Sequence, residues 1–450
     1  MPDQTLMTRA SALVDRLLAA GADAADVLVV NGTSLDVQVR MGEVEEVEQS
    51  EAQDVGLRAM IKTDDGFAQA TVSSTELDGP AMDDMIARVV AMARLAPPDP
   101  YVDLAKPDEL ATNIANLDLA DSTRLDAAAL SDRARECENT ARHTPGITNS
   151  EGAASGYGSA EIALATSNGF AGTYFSSSHS VSCSVLAGEG LNMERDYAYR
   201  TARHLDDLMS PQEIGAEAAS RTLRRLGAVK PASGTCPVVF DPRVSGSIAG
   251  HMASALNGAS IARKSSFLVD KMGKQIAHSD ITLLDDPKRV RGLASRPFDG
   301  EGVATQPLNL IENGVVKHWL LDTATARQLG LKSNGRARRG VGSSPSPGPA
   351  NLSIAPGTLT PAALIGEIED GIYITEMIGS AVSLITGDYS RGASGFRIKS
   401  GELAEPVSEF TIAGNLKDMF MALTAADDLV FDYATNAPTL RIDGMTIAGA

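Results

Sequence analysis

The sequence predicts an α+β fold built on antiparallel sheets. Three observations carry this. Stretches with strand-like alternation outnumber helical ones. Two of the connections are strong hairpin signals, Thr63-Asp64-Asp65-Gly66 and Asn168-Gly169. The strands also do not alternate with crossover helices, as a parallel α/β sheet requires.

The first unit spans 1–100. Leu6, Leu13, Leu17 and Leu18 mark an opening amphipathic helix, closed by Gly21. Strands are expected over 27–30, 44–47, 57–61 and 67–72, and Leu35, Val37, Val39 and Met41 alternate as in a half-buried strand. Met82, Met85, Ile86, Val89 and Val90 form a helical stripe that stops before Pro97-Pro98-Asp99-Pro100, the first boundary. The second unit, 101–230, opens on a helix over 125–141. Strands over 157–167 and 170–175 flank Asn168-Gly169. Val181, Cys183, Val185 and Ala187 alternate again, which puts Cys183 on a buried face as a structural thiol. Tyr197 and Tyr199 belong to a further strand, and a helix over 211–226 leads to Lys230-Pro231-Ala232-Ser233-Gly234, the second boundary.

The third unit spans 231–450. Strands are expected over 238–240, 281–284, 315–321, 372–377, 382–385, 396–399 and 409–412, and a short helix over 324–329. Ser400-Gly401 is a turn, and 340–348 reads as a mobile Gly/Ser/Pro loop. Asp241 and Asn415 are good N-caps, Pro242 suits a first helical turn, and Asp418 complements the dipole of the last helix. On the helix after Asp241, Val244, Ile248 and Met252 make one apolar stripe. Gly246 and Gly250 share it, each costing about 1 kcal/mol relative to alanine. That cost implies close approach of another backbone or a ligand.

Composition excludes several classes. With 450 residues, 43% hydrophobic and 22% charged, the chain suits two or three globular domains. Aromatics are only 4%, so Ala, Val, Leu, Ile and Met must fill the cores. No apolar run approaches the ~20 residues of a membrane span. Met1-Pro2-Asp3-Gln4-Thr5 does not begin like a signal peptide. Cys137, Cys183 and Cys236 are too few and dispersed for a disulfide framework, which suits a cytoplasmic protein. A net charge of −19 opposes nucleic-acid binding. The one basic cluster, Lys332, Arg336, Arg338 and Arg339, reads as a solvated loop, or as a contact for a partner subunit or acidic peptide.

Chemistry-bearing patterns are sparse. The histidines are His143, His179, His204, His251, His278 and His318, and none is spaced His-x-x-x-His. Gly300-Glu301-Gly302 and 387–395 lack the Lys-Ser/Thr ending of a phosphate loop. Ser265 and Ser266 stand beside Arg263 and Lys264, with no helper base at a recognisable spacing.

Three long words carry a resemblance. The first runs from Cys236 to Gly302, through Asp241-Pro242, His251, Ile261-Ala262-Arg263-Lys264-Ser265-Ser266-Phe267 and Pro297-Phe298-Asp299-Gly300-Glu301-Gly302. The second is Leu384-Ile385-Thr386-Gly387-Asp388-Tyr389-Ser390-Arg391-Gly392-Ala393-Ser394-Gly395-Phe396, and the third Ile412-Ala413-Gly414-Asn415-Leu416-Lys417-Asp418-Met419-Phe420. Together they resemble the PmbA/TldD family over the C-terminal half. The resemblance implies a mixed α/β N-terminal part and a sheet-rich, barrel-like C-terminal domain. The family's catalytic TldD type carries His-Glu-x-x-x-His on the helix after Asp241, plus a C-terminal Cys, as a metallopeptidase site. Here His251 matches the first His, Met252 takes the Glu place and Leu256 the second His place.

The chain therefore resembles the non-catalytic PmbA/TldE type, with no metal of its own and zinc in a TldD-type partner. The resemblance implies a complex that trims unfolded peptides and modified-peptide precursors. This chain would close the chamber and hold peptide as an added strand, with His251, Arg263, Lys264, Ser265, Asp388, Ser390 and Arg391 as channel or interface candidates. The isolated chain could also homodimerise. Alternatives are a self-associating binding protein without a peptidase partner, and a hydrolase with a relocated metal site. The family's link to DNA gyrase would be indirect for so acidic a chain.

Overall fold

The computed structural model describes residues 5–450; residues 1–4 of the stretch weighed above as a signal peptide lie outside the described residues. A six-stranded antiparallel sheet joins the first two units. Its order is Gly66–Ser74, Glu43–Thr63, Ala24–Arg40, Ile147–Thr166, Ala171–Ala187, Glu194–Ala202. The fragments expected over 27–30 and 35–41 are one strand of 17 residues, and those over 44–47 and 57–61 one of 21. Alternation fails where both faces share one environment: 25–29 are buried throughout and 43–52 exposed throughout.

One face of this sheet carries four helices. Odd-numbered Val27 and Val29 meet Leu6–Ala19 and Pro80–Leu95, while Val37 meets Ala127–Arg142 and the cluster around Pro211–Arg224. Cys137 and Cys183 are buried in that second cluster. Ser210 and Glu213 close a capping box at the start of Pro211–Arg224. The even-numbered Leu28 and Val30 point the other way, onto Phe170 of the Asn168-Gly169 hairpin and onto Phe298 and Val341 of the C-terminal part.

The C-terminal part closes on itself. Gly234–Phe240 pairs in parallel with Asp370–Val382 and antiparallel with Leu440–Ala448. Asp388–Lys399 and Glu402–Asn415 follow in antiparallel order, and Ile412 pairs back with Ile447. That circuit is a closed five-stranded barrel, with Leu423–Ala425 added on the edge of Leu440–Ala448. A second five-stranded sheet comprises Val315–Val316, Leu308–Glu312, Leu283–Asp285, Leu352–Ile354 and Thr435–Asn436. One apolar core joins the two, including Phe240, Ile248, Met252, Leu256, Trp319, Ile374 and Phe420. The fold is α+β with antiparallel sheets and a C-terminal barrel.

Four local expectations change. The strand over 315–321 is confined to Val315–Val316, because the amides of Lys317 and His318 both turn back to the Leu310 carbonyl. Residues 382–385 largely form a hairpin turn, where the Gly387 amide donates to the Ser383 carbonyl. The 340–348 loop is not free of the rest but packs on the N-terminal sheet: the Val341 carbonyl lies where a Cβ on Gly56 would come within 2.0 Å, and the Thr71 and Ser344 hydroxyls are 3.2 Å apart. The basic cluster is not one solvated patch. Arg336 and Arg339 are buried on Asp285 and Asp26, while Lys332 and Arg338 stay exposed.

Candidate functional site

The Asp241 carboxylate caps Pro242–Ala255 by accepting from the Arg243 amide, and its other oxygen accepts from the Tyr373 hydroxyl at 2.6 Å. The helix thereby starts at the barrel rim. Ser245, Ile248, Ala249, Met252 and Ala253 line its buried side. Gly246 explains one of the two glycines, since a Cβ there would approach the Thr435 carbonyl within 2.9 Å. Gly250 does not bear out the expected close approach. A Cβ there would meet nothing within 4 Å.

His251 leaves the core on another flank. Its ring lies edge-on to Tyr389, with centroids 5.8 Å apart at 78°. Arg391 is two residues further along the same strand face. Nε2 of His251 and Nε of Arg391 are both buried and have no hydrogen-bond partner among the described residues. The Tyr389 hydroxyl donates to Met377 Sδ at 3.3 Å. Burial, then the Arg391 charge, lowers His251 to about 4. Burial raises Tyr389 to about 12. At neutral pH the trio is a neutral imidazole, a protonated phenol and a guanidinium. The imidazole keeps a free lone pair, but among the described residues no metal-holding cluster accompanies it.

The positions of the resemblance do not fit a metal. Met252 and Leu256 are both 0% exposed, packed in the barrel core as a thioether and an isobutyl group. Neither supplies a hard donor or a base for water. Cys137 and Cys183 lie in the central unit, and Cys236 on Gly234–Phe240, where burial raises its thiol to about 11. Among the described residues no group of three or more His, Cys, Asp or Glu side chains is arranged to hold a metal ion.

The other sequence candidates fall into two groups. Asp388 accepts from the Thr386 hydroxyl at 2.7 Å and the Asn415 amide at 3.2 Å, so its carboxylate serves the hairpin turn. Ser390 sits in a ladder with Ala381 on one side and Ala413 on the other, which leaves its backbone no room for an added strand. Arg263 and Lys264 are exposed just after Gly258–Ala262, with Lys264 at φ +57. The Ser265 hydroxyl donates to the Ser260 carbonyl at 3.3 Å, closing the helix end. The groups touch where the Phe267 amide donates to the Leu384 carbonyl at 2.8 Å. The structure thus brings His251 and Arg391 together and disperses the rest.

Sequence reasoning missed two features. Tyr389 is the contact between His251 and the hairpin, and it stood inside the second long word. The other is an open strand edge. Beyond Ile374, Asp370–Val382 keeps its ladder with Asp388–Lys399 as far as Val382–Tyr389, but Gly234–Phe240 reaches no further than the Ile374–Phe240 pair. Ile378 on that edge is 61% exposed. Only the barrel geometry reveals it, because the neighbour that stops short lies far away in sequence.

Comparison with known proteins completes the description. Residues 233–449, 120–226 and 25–93 match the C-terminal domain, central domain and domain 1 of the PmbA/TldA metallopeptidases. The Metalloprotease PmbA of Escherichia coli O157:H7 is 38% identical over 96% of this chain and 94% of its own length. The Metalloprotease PmbA homolog of Haemophilus influenzae is 34% identical over 99% of this chain and 97% of its own. Among solved structures, a Bacteroides thetaiotaomicron protein described as a candidate modulator of DNA gyrase superposes with a TM-score of 0.89 at 28% identity, covering 99% of this chain and 100% of that one. TldE from Thermococcus kodakarensis shares the fold with a TM-score of 0.84 at 22% identity, covering 98% and 100%.

Proposed function

The chain belongs to the PmbA/TldD metallopeptidase family, and from that premise we propose that it is the non-catalytic subunit of a two-subunit cytoplasmic peptidase acting on unfolded peptides and modified-peptide precursors. One observation carries the reading. Met252 and Leu256, at the family's base and second-histidine places, are built into the apolar core. A TldD-type partner supplies the zinc and the activated water. This chain supplies a chamber wall. The open edge over 376–382 accepts peptide as an added strand, where main-chain hydrogen bonds give affinity with little sequence choice. The buried Nε2 of His251 and Nε of Arg391, which have no partner among the described residues, are the polar groups left to meet a docked chain.

The test is reconstitution. The chain is mixed with a family member that carries His-Glu-x-x-x-His, and both complex formation and cleavage of an unstructured peptide are measured. Cleavage is expected only from the mixture. Equal cleavage by this chain alone, with stoichiometric zinc, would overturn the assignment in favour of a relocated metal site.

A further inference from the structure

A cleft of about 1020 Å³ beside the Gly258–Ala262 helix is unusual in its charge. The chain as a whole carries 58 acidic and 39 basic residues. The cleft wall carries Lys264, Lys274, Lys317 and Lys332, against a single acidic side chain, Asp270. Lysines 264, 274 and 332 make no ion pair within 4 Å and no side-chain hydrogen bond among the described residues, while Lys317 lies 3.7 Å from Glu312. Four cations around one concavity make its local potential positive on an otherwise acidic surface, and such a concavity attracts anions.

The four lysines stand on separate local elements. Lys264 follows the Gly258–Ala262 helix in a left-handed conformation, at φ +57. Lys274 is fixed by a backbone exchange in which the Val316 amide donates to its carbonyl at 3.1 Å. Lys317 follows Val315–Val316 directly, and Lys332 follows the Thr323–Gln328 helix. The wall between them is apolar: Met272 is 42% and Leu331 47% exposed. Phosphate sites converge backbone amides or arginine forks on one point. Here separate point charges alternate with exposed apolar side chains. Trp319 on the cleft floor is only 4% exposed, so it offers no stacking platform to a base.

We propose that this cleft binds acidic peptide segments, with carboxylates on the lysines and an apolar side chain between Met272 and Leu331. The proposal rests on the reading of the chain as a peptide-holding subunit and deepens it by naming the substrate chemistry. It also accounts for Lys332, one of the two members of the sequence's basic cluster that folding leaves exposed.

The test uses the full-length chain alone and a fluorescent, unstructured peptide rich in Glu and Leu. Its Gln-for-Glu and Lys-for-Glu counterparts and a single-stranded oligonucleotide serve as competitors. The Glu peptide is expected to bind, to weaken as salt rises from ~50 to ~300 mM, and to resist the other three. Lys264→Gln, Lys274→Gln and Lys332→Gln should each weaken it about 2- to 5-fold, and the triple variant about tenfold or more. Lys399→Gln, at a lysine that pairs with Glu405 and is not part of the cleft wall, should not change it. These lysines are exposed, and an unchanged circular dichroism spectrum and melting temperature verify the fold. Equal binding of Glu and Gln peptides, displacement by the oligonucleotide, or an unaffected triple variant would overturn the proposal. Complex formation with the His-Glu-x-x-x-His partner is measured separately on the triple variant. Its failure in the wild type bears on the subunit reading, whereas loss of acid selectivity with the complex intact bears on the cleft.

Discussion

Arg339 donates to the carboxylate of Asp26 across 313 positions of the chain, and both side chains are buried. Arg58, on the neighbouring strand, donates to the other oxygen of the same carboxylate. Asp26 therefore compensates two buried guanidiniums and ties the N-terminal sheet to the 337–348 loop of the C-terminal part. Burial pushes its carboxyl up, but Arg339 and Arg58 outweigh that and leave it below the usual range.

Asp26→Asn should accordingly be among the most damaging polar substitutions. Breaking one side of a buried pair leaves an uncompensated charge and typically costs about 3–5 kcal/mol. Urea denaturation checks this, with a large drop in midpoint expected. A shift no larger than that of a surface Asp→Asn control would show that the network contributes little.

Glu301 gives the same region a pH dependence. Burial, then the charges of Asp299 and Asp322, raise it to about 8. Its Oε2 accepts from the Thr323 amide at 2.8 Å and hydroxyl at 2.7 Å. A carboxyl raised above its ordinary 4.5 binds its proton more tightly folded than unfolded. Its contribution is full below about pH 4.5 and is lost as pH rises through about 8. Glu301→Gln keeps an acceptor for Thr323 and removes the titration. The wild type should lose stability between pH 6 and 9 more steeply than the variant, by urea midpoints at each pH.

His251 titrates in the opposite sense. Its value of about 4 lies below the ordinary 6.5, so its contribution is present above pH 6.5 and fades as pH falls through about 4. In the reconstituted pair, His251→Ala should leave peptide cleavage within about threefold, whereas loss of a catalytic base or ligand costs ~10²-fold or more. A hundredfold loss of cleavage with the complex intact would contradict the non-catalytic role.

The two glycines of the Pro242–Ala255 helix should behave differently. Gly246→Val forces a side chain against the Thr435 carbonyl and should cost about 1–3 kcal/mol. Gly250→Ala enters open space and should stabilise the helix by up to about 1 kcal/mol. Thermal melts of both variants decide this, and equal destabilisation would contradict it.

What was legible in the sequence was local. Asn168-Gly169, the Asp241 and Asn415 caps and the Cys183 alternation depend on neighbours a few residues away, and all appear in the fold. What was not legible depends on distant partners. Closure of the barrel needs Ile412 beside Ile447. Burial of Arg336 and Arg339 needs Asp285 and Asp26, 51 and 313 positions away. The two-sided exposure over 43–52 hid a continuous strand, and propensity alone could not separate Gly246 from Gly250. Of the site candidates, His251 and Arg391 came together because a long helix and a long strand carried them. Asp388 and Ser265 went to nearby backbone and turn groups, the partners that short polar side chains reach first.

The last prediction concerns rebuilding the family's metal motif in this chain. In a regular helix, positions 251 and 256 lie about 140° apart, since each residue turns about 100°. The helix ends regularly here, with the Leu256 amide donating to the Met252 and Ala253 carbonyls. His251 therefore points toward Tyr389 while Leu256 stays in the core. Met252→Glu with Leu256→His would place a carboxylate and an imidazole where both side chains are 0% exposed. An unpaired charge there costs several kcal/mol or is neutralised by a shifted pKa. The double variant should melt at a markedly lower temperature and hold far less than one zinc per chain after dialysis. Recovery of one tightly held zinc with an unchanged melting temperature would show that the core can reopen into a metal site without the C-terminal Cys of the catalytic type.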